Sequence, residues 1–390
     1  MTAPFHRRAL SLSVLSLAVG LAVGLSIAGP VRAQDEDLEH KDKRTTGTGS
    51  AEAAVEAARK RREEAKNKAN EQPPKYPNAT RSAPSAKASA KEAKALNDLQ
   101  ADYQAKKYAD VVSKGEALAA ASTGNAYVRS YAYLLAGNAA NSLEDNAKSI
   151  EDFSKAVEAN GLDNNMHYQA MFNLAVLESQ NERNEDAIKT IDRFLAETRT
   201  TDTQPMEVKA YALANMNRYA DSAAIYEKLL EARPGDRNTL MNAVAMYQQA
   251  DNNERASTLL EAGRKLGQLD GSGYQALFVG YANSEKYAQA EEVLLEGVNK
   301  GLIKPSQQLA TSYAIIAQNY YAKEKVAQAI DFYKRAASVS TNGEASLNLA
   351  RILRNEGRVA EAKAAAREAL AKGVKKPKDA EAILAVPGGK

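Results

Sequence analysis

The sequence predicts an all-α fold: a right-handed α-solenoid of about eight helix pairs closed by a C-terminal capping helix. Three observations carry this expectation. A helix-pair pattern recurs about every 34 residues between residues 92 and 376 of a 390-residue chain. Its clearest copies begin at Thr203, Arg237 and Gly271, each with a small residue at its twentieth position: Ser222, Ala256 and Ala290. Apolar residues make up 44% of the chain but Ala dominates them, with no Trp and 6 Phe, which suits closely packed helices better than a core of large side chains. A period in this range marks stacked units, none able to bury its apolar face alone.

In chain order, residues 1–33 read as an export signal. His6, Arg7 and Arg8 form a short basic start, and Leu10 to Ala28 is an uncharged apolar run. Val31-Arg32-Ala33 then offers the small or short residues that cleavage between Ala33 and Gln34 requires. An uncleaved membrane anchor is the rival, because the run approaches the roughly 20 residues that span a bilayer. Gly24, Gly29 and Pro30 weaken such a helix. Cleavage removes three arginines and no acid, so 52 basic residues become 49 against 49 acidic. A formally neutral mature chain argues against a nucleic-acid partner, which demands a positive surface. There is no cysteine, hence no disulfide staple and no lipidation site after the signal. The expected address is the periplasm, or outside the cell where there is no outer membrane, and any membrane association is indirect unless the signal stays uncleaved.

Residues 34–90 are low in aromatics and rich in Ala, Lys, Glu, Ser and Pro, the composition of a disordered linker. Within it, Ala51 to Gln72 has the residues of a solvated helix that Pro73-Pro74 would end. Arg59-Lys60-Arg61-Arg62 reads either as a site for anionic lipid or acidic polymer, or as a charged helix face balanced by Glu56, Glu63 and Glu64.

Residues 91–390 form the repeat domain. Repeats begin near Glu92, Ser130, Tyr168, Thr203, Arg237, Gly271, Ala310 and Gly343, at spacings of 38, 38, 35, 34, 34, 39 and 33. The extra lengths are expected in turns around Thr123-Gly124, Asp163-Asn164 and Lys304-Pro305. A column of small residues, Ser149, Ala187, Ser222, Ala256, Ala290, Ala329 and Ala362, marks where the second helix of each pair presses on the first. The last helix, Lys378 to Val386, carries Ile383 and Leu384 as the apolar face of a cap.

These residues resemble the tetratricopeptide repeat, whose pattern is an aromatic of Trp type, Leu-Gly, Tyr, then Ala, an aromatic and a late Pro. The sixth repeat supplies Tyr274, Leu277-Phe278, Tyr281, Tyr287, Ala290 and Leu294, and the fourth Tyr219, Ser222, Tyr226 and Pro234-Gly235-Asp236. The seventh supplies Tyr313, Ile316-Ala317, Tyr320, Ala329, Tyr333 and Ala336, and the eighth Leu349-Ala350, Leu353, Gly357, Ala362 and Ala369. The first repeat departs furthest, with Asp98 and Asp102 in apolar slots. The resemblance implies that the first helix of each pair (helix A) lines a concave face that holds a protein or peptide. A family variant clamps acidic chaperone tails with Lys, Asn and Arg; here the matching slots hold Leu96, Leu134, Asn173, Gln204 and Val208, so that activity is not expected.

The concave positions at the end of helix A read Asn141, Ser142, Ser179, Gln180, Asn215, Gln248, Gln249, Asn283 and Asn355, joined by Asn138 and Gln318 one turn earlier. Carboxamides offer a donor and an acceptor, which suits the main chain of an extended peptide. Tyr103, Tyr211 and Tyr321 would add apolar contact. The competing reading makes these amides ordinary helix-end residues. Catalysis is not expected: beyond the signal only His40 and His167 remain, His167 at a helix start, with no partner for a metal set and no phosphate loop or nucleophile elbow. Gly271-Ser272-Gly273 reads as a turn between repeats. No cofactor is expected.

The function implied is a non-enzymatic periplasmic scaffold for an envelope protein or extended peptide. The exported array, the cysteine-free start and the stretch from Gly301-Leu302-Ile303 to Gly343-Glu344-Ala345 look similar to repeat proteins accompanying TonB-type energy transduction, which implies a helper for TonB, ExbB or ExbD. The alternatives are an assembly factor for outer membrane, pilus or polysaccharide, and a soluble carrier of glycan or small ligand.

Overall fold

The computed structural model describes residues 73–85 and 87–389. The export signal, its cleavage position at Ala33 and Gln34, and the Arg59–Arg62 cluster lie outside the described residues. Among the described residues there are seventeen helices and no strand. No helix there is long and apolar enough to cross a membrane. The chain divides into two compact units, Met1–Arg218 and Tyr219–Lys390.

Unit 1 holds α1 (Ala90–Gln104), α2 (Tyr108–Ala121), α3 (Ala126–Ser142), α4 (Asn146–Ala159), α5 (Asn164–Gln180), α6 (Asn184–Thr198) and α7 (Gln204–Asn215). Within this unit each helix packs on the next, and α1 on α3 and α5 on α7 as well, which is the neighbour pattern of stacked helix pairs. Unit 2 holds α8 (Tyr219–Ala232), α9 (Arg237–Gln249), α10 (Asn253–Lys265), α11 (Gly271–Asn283), α12 (Tyr287–Asn299), α13 (Gln307–Ala322), α14 (Val326–Val339), α15 (Glu344–Asn355), α16 (Val359–Ala371) and α17 (Pro377–Leu384). Here too successive helices pack. Within each unit the expected stacking of helix pairs is therefore what the chain builds. The cap is present as well: α17 lies on α15 and α16 through Ala380 and Ile383, both essentially buried.

Local chemistry explains the helix starts. Ser89 and Glu92 form a reciprocal capping box at α1, with the Ser89 N–H donating to Glu92 Oε2 at 2.9 Å. Asn125, Asp145, Asp163, Asp236, Asn252, Asp270 and Ser306 cap later helices by accepting backbone N–H groups that would otherwise lack partners. The turns within pairs repeat one device. Two residues past the end of each first helix the backbone takes positive φ, at Lys106, Glu144, Glu182, Asn217, Asp251, Glu285, Glu324 and Gly357. Only the last of these is glycine.

Two sequence expectations about length and turns need correction. The connection around Lys304-Pro305 (residues 300–306) is longer than the other connections between pairs, as expected, but the other added residues of the long repeats do not lie in turns. They lengthen the first helix: α3 and α5 have 17 residues and α13 has 16, against 12 or 13 in α7, α9, α11 and α15. Four residues are close to one helical turn, so the extension keeps the buried face in phase. Gly271-Ser272-Gly273 is likewise the first turn of α11, capped by Asp270, and not a linker. Gly271 is needed there because a Cβ would sit 2.3 Å from the carbonyl oxygen of Leu302.

The small-residue column is buried throughout, with Ser149, Ala187, Ser222, Ala290, Ala329 and Ala362 at 0% exposure and Ala256 at 2%. Its working is visible at α3–α4. The Ser149 hydroxyl donates to the Gly137 carbonyl at 2.9 Å, and a Cβ at Gly137 would press on the Phe153 ring. Around that seam unit 1 buries Tyr131, Leu135, Tyr168, Met171 and Phe194. Unit 2 buries Tyr226, Tyr274, Leu277, Phe278, Leu294 and Ile316.

Candidate functional site

The concave-face residues named from sequence fall into two groups. In unit 1, Asn138 is buried, and its amide donates back to the Leu134 carbonyl at 2.9 Å, so it serves its own helix and presents nothing to a ligand. Ser179 is also buried. Asn141 and Tyr211 are half-buried, Gln180 and Asn215 exposed. Asn215 Nδ2 donates to Asn184 Oδ1 at 3.3 Å, linking the end of α7 to the start of α6. In unit 2, Gln248 is half-buried while Gln249, Asn283, Gln318 and Asn355 are exposed. Asn355 Nδ2 donates to the Tyr321 hydroxyl at 3.3 Å, and Tyr321 is one of the few exposed large apolar side chains. Tyr103 belongs to the core, packed edge-on against Tyr108 at 5.4 Å.

The register has a simple structural basis. Gln180, Asn215, Gln249, Asn283 and Asn355 are each the last residue of a first helix. At that position the backbone carbonyls run out of intrahelical donors, and an uncharged polar side chain is compatible with both the carbonyls and water. Each unit therefore displays exposed carboxamides at the same point of two or more pairs, the series in unit 2 being interrupted by Ala322 at the end of α13.

A second surface, absent from the sequence reading, is built at the edge of unit 1. The described part of the 34–90 segment does not stand apart from the repeats. Residues 73–81 lie against the α4–α5 junction and the end of α6. Tyr76 is buried, edge-on to Tyr168 at 5.3 Å and to Phe194 at 5.6 Å. Removal from water, with Asp202 nearby, pushes the Tyr76 phenol up to about 12. Arg81 makes four hydrogen bonds: Nε to Asn160 Oδ1 at 2.7 Å, one terminal nitrogen to Asn164 Oδ1 at 2.7 Å, and the other to the carbonyls of Leu162 at 2.9 Å and Asn160 at 3.1 Å. Burial draws its pKa down, opposed by Tyr168, Glu197 and Asp163. Main-chain contacts complete the seat. Lys75 N–H donates to Asn165 Oδ1 at 2.8 Å, Asn165 Nδ2 to the Pro73 carbonyl at 3.3 Å, Asn164 Nδ2 to the Arg81 carbonyl at 3.1 Å, and Thr80 N–H to the Glu197 carbonyl at 2.8 Å.

The signal for this surface is present in the chain: Tyr76 is the single Tyr, Phe or Trp between Gln34 and Ala90, flanked by Pro74 and Pro77 and followed by Arg81. Carboxamides do grip a main chain in this protein, but they are Asn164 and Asn165 at the start of a helix.

Unit 1 also buries titratable groups. His167 was expected at a helix start and is there, in the first turn of α5, but it is wholly buried and neither ring nitrogen has a hydrogen-bond partner. Desolvation, with Arg81 and Arg193 nearby, lowers its pKa to about 4, so it is neutral near pH 7. Asp152 on α4 is wholly buried with both oxygens unpartnered, and desolvation, reinforced by Glu116, raises it to about 7. Glu178 on α5 is raised to about 7 by desolvation, against the hydrogen bond it accepts from Thr190 at 2.9 Å. No cluster of three or more His, Asp or Glu able to hold a metal occurs among the described residues. The most elaborate polar network of unit 2 is an ion-pair cluster. Arg264 bonds Glu261, Glu292 and Glu296, and Glu296 also takes Lys300 at 2.6 Å and the Tyr274 hydroxyl at 2.7 Å.

Known proteins bear on this geometry as follows. The family model for the Psidin N-terminal TPR repeats region matches residues 175–296, and the tetratricopeptide repeat model matches residues 130–161 and 343–371. No curated protein is significantly similar in sequence. Among solved structures, a tetratricopeptide repeat protein from Parabacteroides merdae is 15% identical with a TM-score of 0.37, the match covering 66% of this chain and 98% of that one. MamA AMB-1 is 13% identical with a TM-score of 0.34, over 43% of this chain and 95% of its own. MamA MSR-1 is 14% identical with a TM-score of 0.33, over 44% and 93%. The matched segments of this chain are similar to tetratricopeptide repeats, and the function such repeats imply is that of a protein-interaction scaffold.

Proposed function

We propose that the protein is an exported scaffold that holds an extended segment of another cell-envelope protein against the ends of its first helices, acting by binding and without catalysis. The observation that carries this reading is the recurrence of an exposed, uncharged carboxamide at the last residue of first helices, in α5 and α7 of unit 1 and in α9, α11 and α15 of unit 2, while α13 ends in Ala322. A carboxamide can both donate to a peptide carbonyl and accept from a peptide N–H, so a row of them serves an extended main chain whatever its side chains. The export-type N-terminus supports an envelope partner. Within the envelope, the looser likeness to TonB-associated repeat proteins makes a component of that energy-transduction system the partner to look for first.

The test uses crosslinked affinity capture of the tagged full-length protein from its native envelope, beside a variant with Asn215, Gln249 and Asn283 changed to Asp. All three substitutions keep an acceptor, remove the donor and add charge; the two Asn→Asp changes also keep size, and Gln249→Asp shortens the side chain by one methylene. The expected outcome is recovery of TonB-system proteins by the unaltered chain and loss of that recovery in the variant. Equal recovery by both forms rejects the helix-end amides as the binding surface, and recovery of assembly machinery alone rejects the TonB assignment.

A further inference from the structure

We infer that the edge of unit 1 where α5 and α6 meet is a peptide-receptor site with residues 73–81 as its built-in ligand, and that on release of that segment it takes a peptide that turns between an aromatic residue and an arginine five positions apart. This surface is separate from the helix-end amides and stands whether or not those bind a partner.

The contacts divide as they do in recognition of a linear motif. One set reads only main chain: Asn165 accepts from the N–H of residue 75 and donates to the carbonyl of residue 73, and the Glu197 carbonyl accepts from the N–H of residue 80. Such bonds hold a main chain whatever its side chains and confer no side-chain selectivity. The other set reads two side chains. The Tyr76 ring fills a slot between Tyr168 and Phe194 in edge-to-face geometry, with interplanar angles of 77° and 87°. Arg81 meets four neutral oxygens arranged for a planar fork. A lysine ammonium, a single point of three donors, cannot reproduce that arrangement.

The residues between the two anchors shape the main chain: the Ala79 N–H donates to the Tyr76 carbonyl at 3.2 Å, closing a β-turn with Pro77 at its second position, and the Thr80 hydroxyl adds a contact to the Glu197 carbonyl at 3.3 Å. Pro77, Asn78 and Thr80 are exposed and Ala79 is half-buried. Pro73 and Pro74 restrict the start of the free segment, and Pro77 pre-sets φ for the turn, so together they reduce the entropy lost on docking. The connection to the repeats is also that of a tether: residues 82–85 are exposed. Along the segment the contacts run from Asn165 at residues 73 and 75, to Glu197 near the end of α6 at residue 80, to the Asn160–Asn164 junction at Arg81, and then to Asn125, whose amide donates to the Lys87 carbonyl at 3.0 Å. It is thus a turn-containing segment laid across a preformed edge, with its side-chain selectivity concentrated at Tyr76 and Arg81.

The experiment uses the full chain with a site-specific protease sequence inserted between Ala83 and Pro84, and a fluorescent synthetic peptide spanning residues 72–83. The intact chain is expected to leave the peptide unbound, because the site is filled in cis. After cleavage and dialysis the chain is expected to bind it, seen as a rise in anisotropy. Peptides with Tyr76→Ala, Arg81→Ala or Arg81→Lys are expected to bind at least about tenfold more weakly, the loss of one well-placed anchor. In the cleaved chain, Asn165→Ala should weaken all these peptides alike, since it grips main chain. Circular dichroism before and after cleavage separates the possibilities. A cleaved chain that keeps its helical signal but ignores the peptide overturns the proposal. So does equal binding of the anchor-less peptides. A chain that unfolds on cleavage makes the segment a structural strap, which also overturns it. As a second route, the uncleaved variant Tyr76→Ala with Arg81→Ala should admit the parent peptide where the unaltered chain does not.

Discussion

Ala290 sits at 0% exposure where α12 presses on α11, and the methyl group is all that contact admits. Ala290→Leu is expected to overpack it and cost roughly 1–3 kcal/mol. The check is urea unfolding followed by helical signal: a lowered midpoint is expected, and an unchanged one would mean this column does not set the distance between helices. The column was legible because a small residue every 34 or so positions has no cause other than close backbones. Depth was less legible. Asn138 and His167 sit on the same helical phases as accessible neighbours, yet one bonds its own helix and the other is sealed inside unit 1. Periodicity tells which way a side chain points and nothing about how many neighbours cover it.

At the scale of elements, helix count and order followed from the sequence, whereas the location of most of the added residues in the long repeats did not. A four-residue extension keeps the apolar phase, so a spacing of 38 reads the same whether the extra turn is helix or loop. Caps decide where helices begin, and Asp270 shows how much one residue can carry. Its Oδ1 accepts the Gly273 N–H at 3.0 Å to start α11, and Oδ2 pairs with Arg237 of α9. Asp270→Ala is expected to lose both functions and cost about 1–2 kcal/mol, most of it from the cap. Asp270→Asn keeps a capping oxygen and loses only the exposed ion pair, so it is expected to cost well under 1 kcal/mol. Equal losses in the two variants, read as melting-temperature shifts, would assign the stability to the ion pair instead. The segment at 73–81 escaped the sequence reading for a related reason. Two anchors five residues apart leave no periodic trace, and composition averaged over 34–90 dilutes a single tyrosine.

At the scale of the molecule, the ionisable groups whose pKa burial most strongly displaces are gathered in unit 1, which gives the two units opposite responses to pH. Asp152 and Glu178 have folded pKa values raised to about 7, above the ordinary carboxyl range. The unfolded chain therefore gives up these protons first, and stability is fully retained only below the ordinary carboxyl pKa of about 4 and falls as pH rises toward 7. For Asp152 the difference amounts to roughly 3–4 kcal/mol in the ionised state. His167 acts in the other direction: with its pKa lowered to about 4, it costs stability as pH falls from about 6.5 toward 4. In unit 2, Glu296 is lowered to about 2 by Lys300, the Tyr274 hydroxyl and Arg264, so its contribution is present above about 4.5 and lost only in stronger acid. Between pH 5.5 and 8 the carboxyls dominate unit 1, while Glu296 stays ionised in both folded and unfolded chain. Calorimetric melting of the full chain is thus expected to show a component assigned to unit 1 moving down as pH rises across this range. Asp152→Asn should remove about half of that movement, because an amide in the same space has no charge to bury while Glu178 keeps its share. If the unaltered chain and the variant melt with the same pH dependence, the Asp152 carboxyl is not the group that unit 1 pays to keep dry.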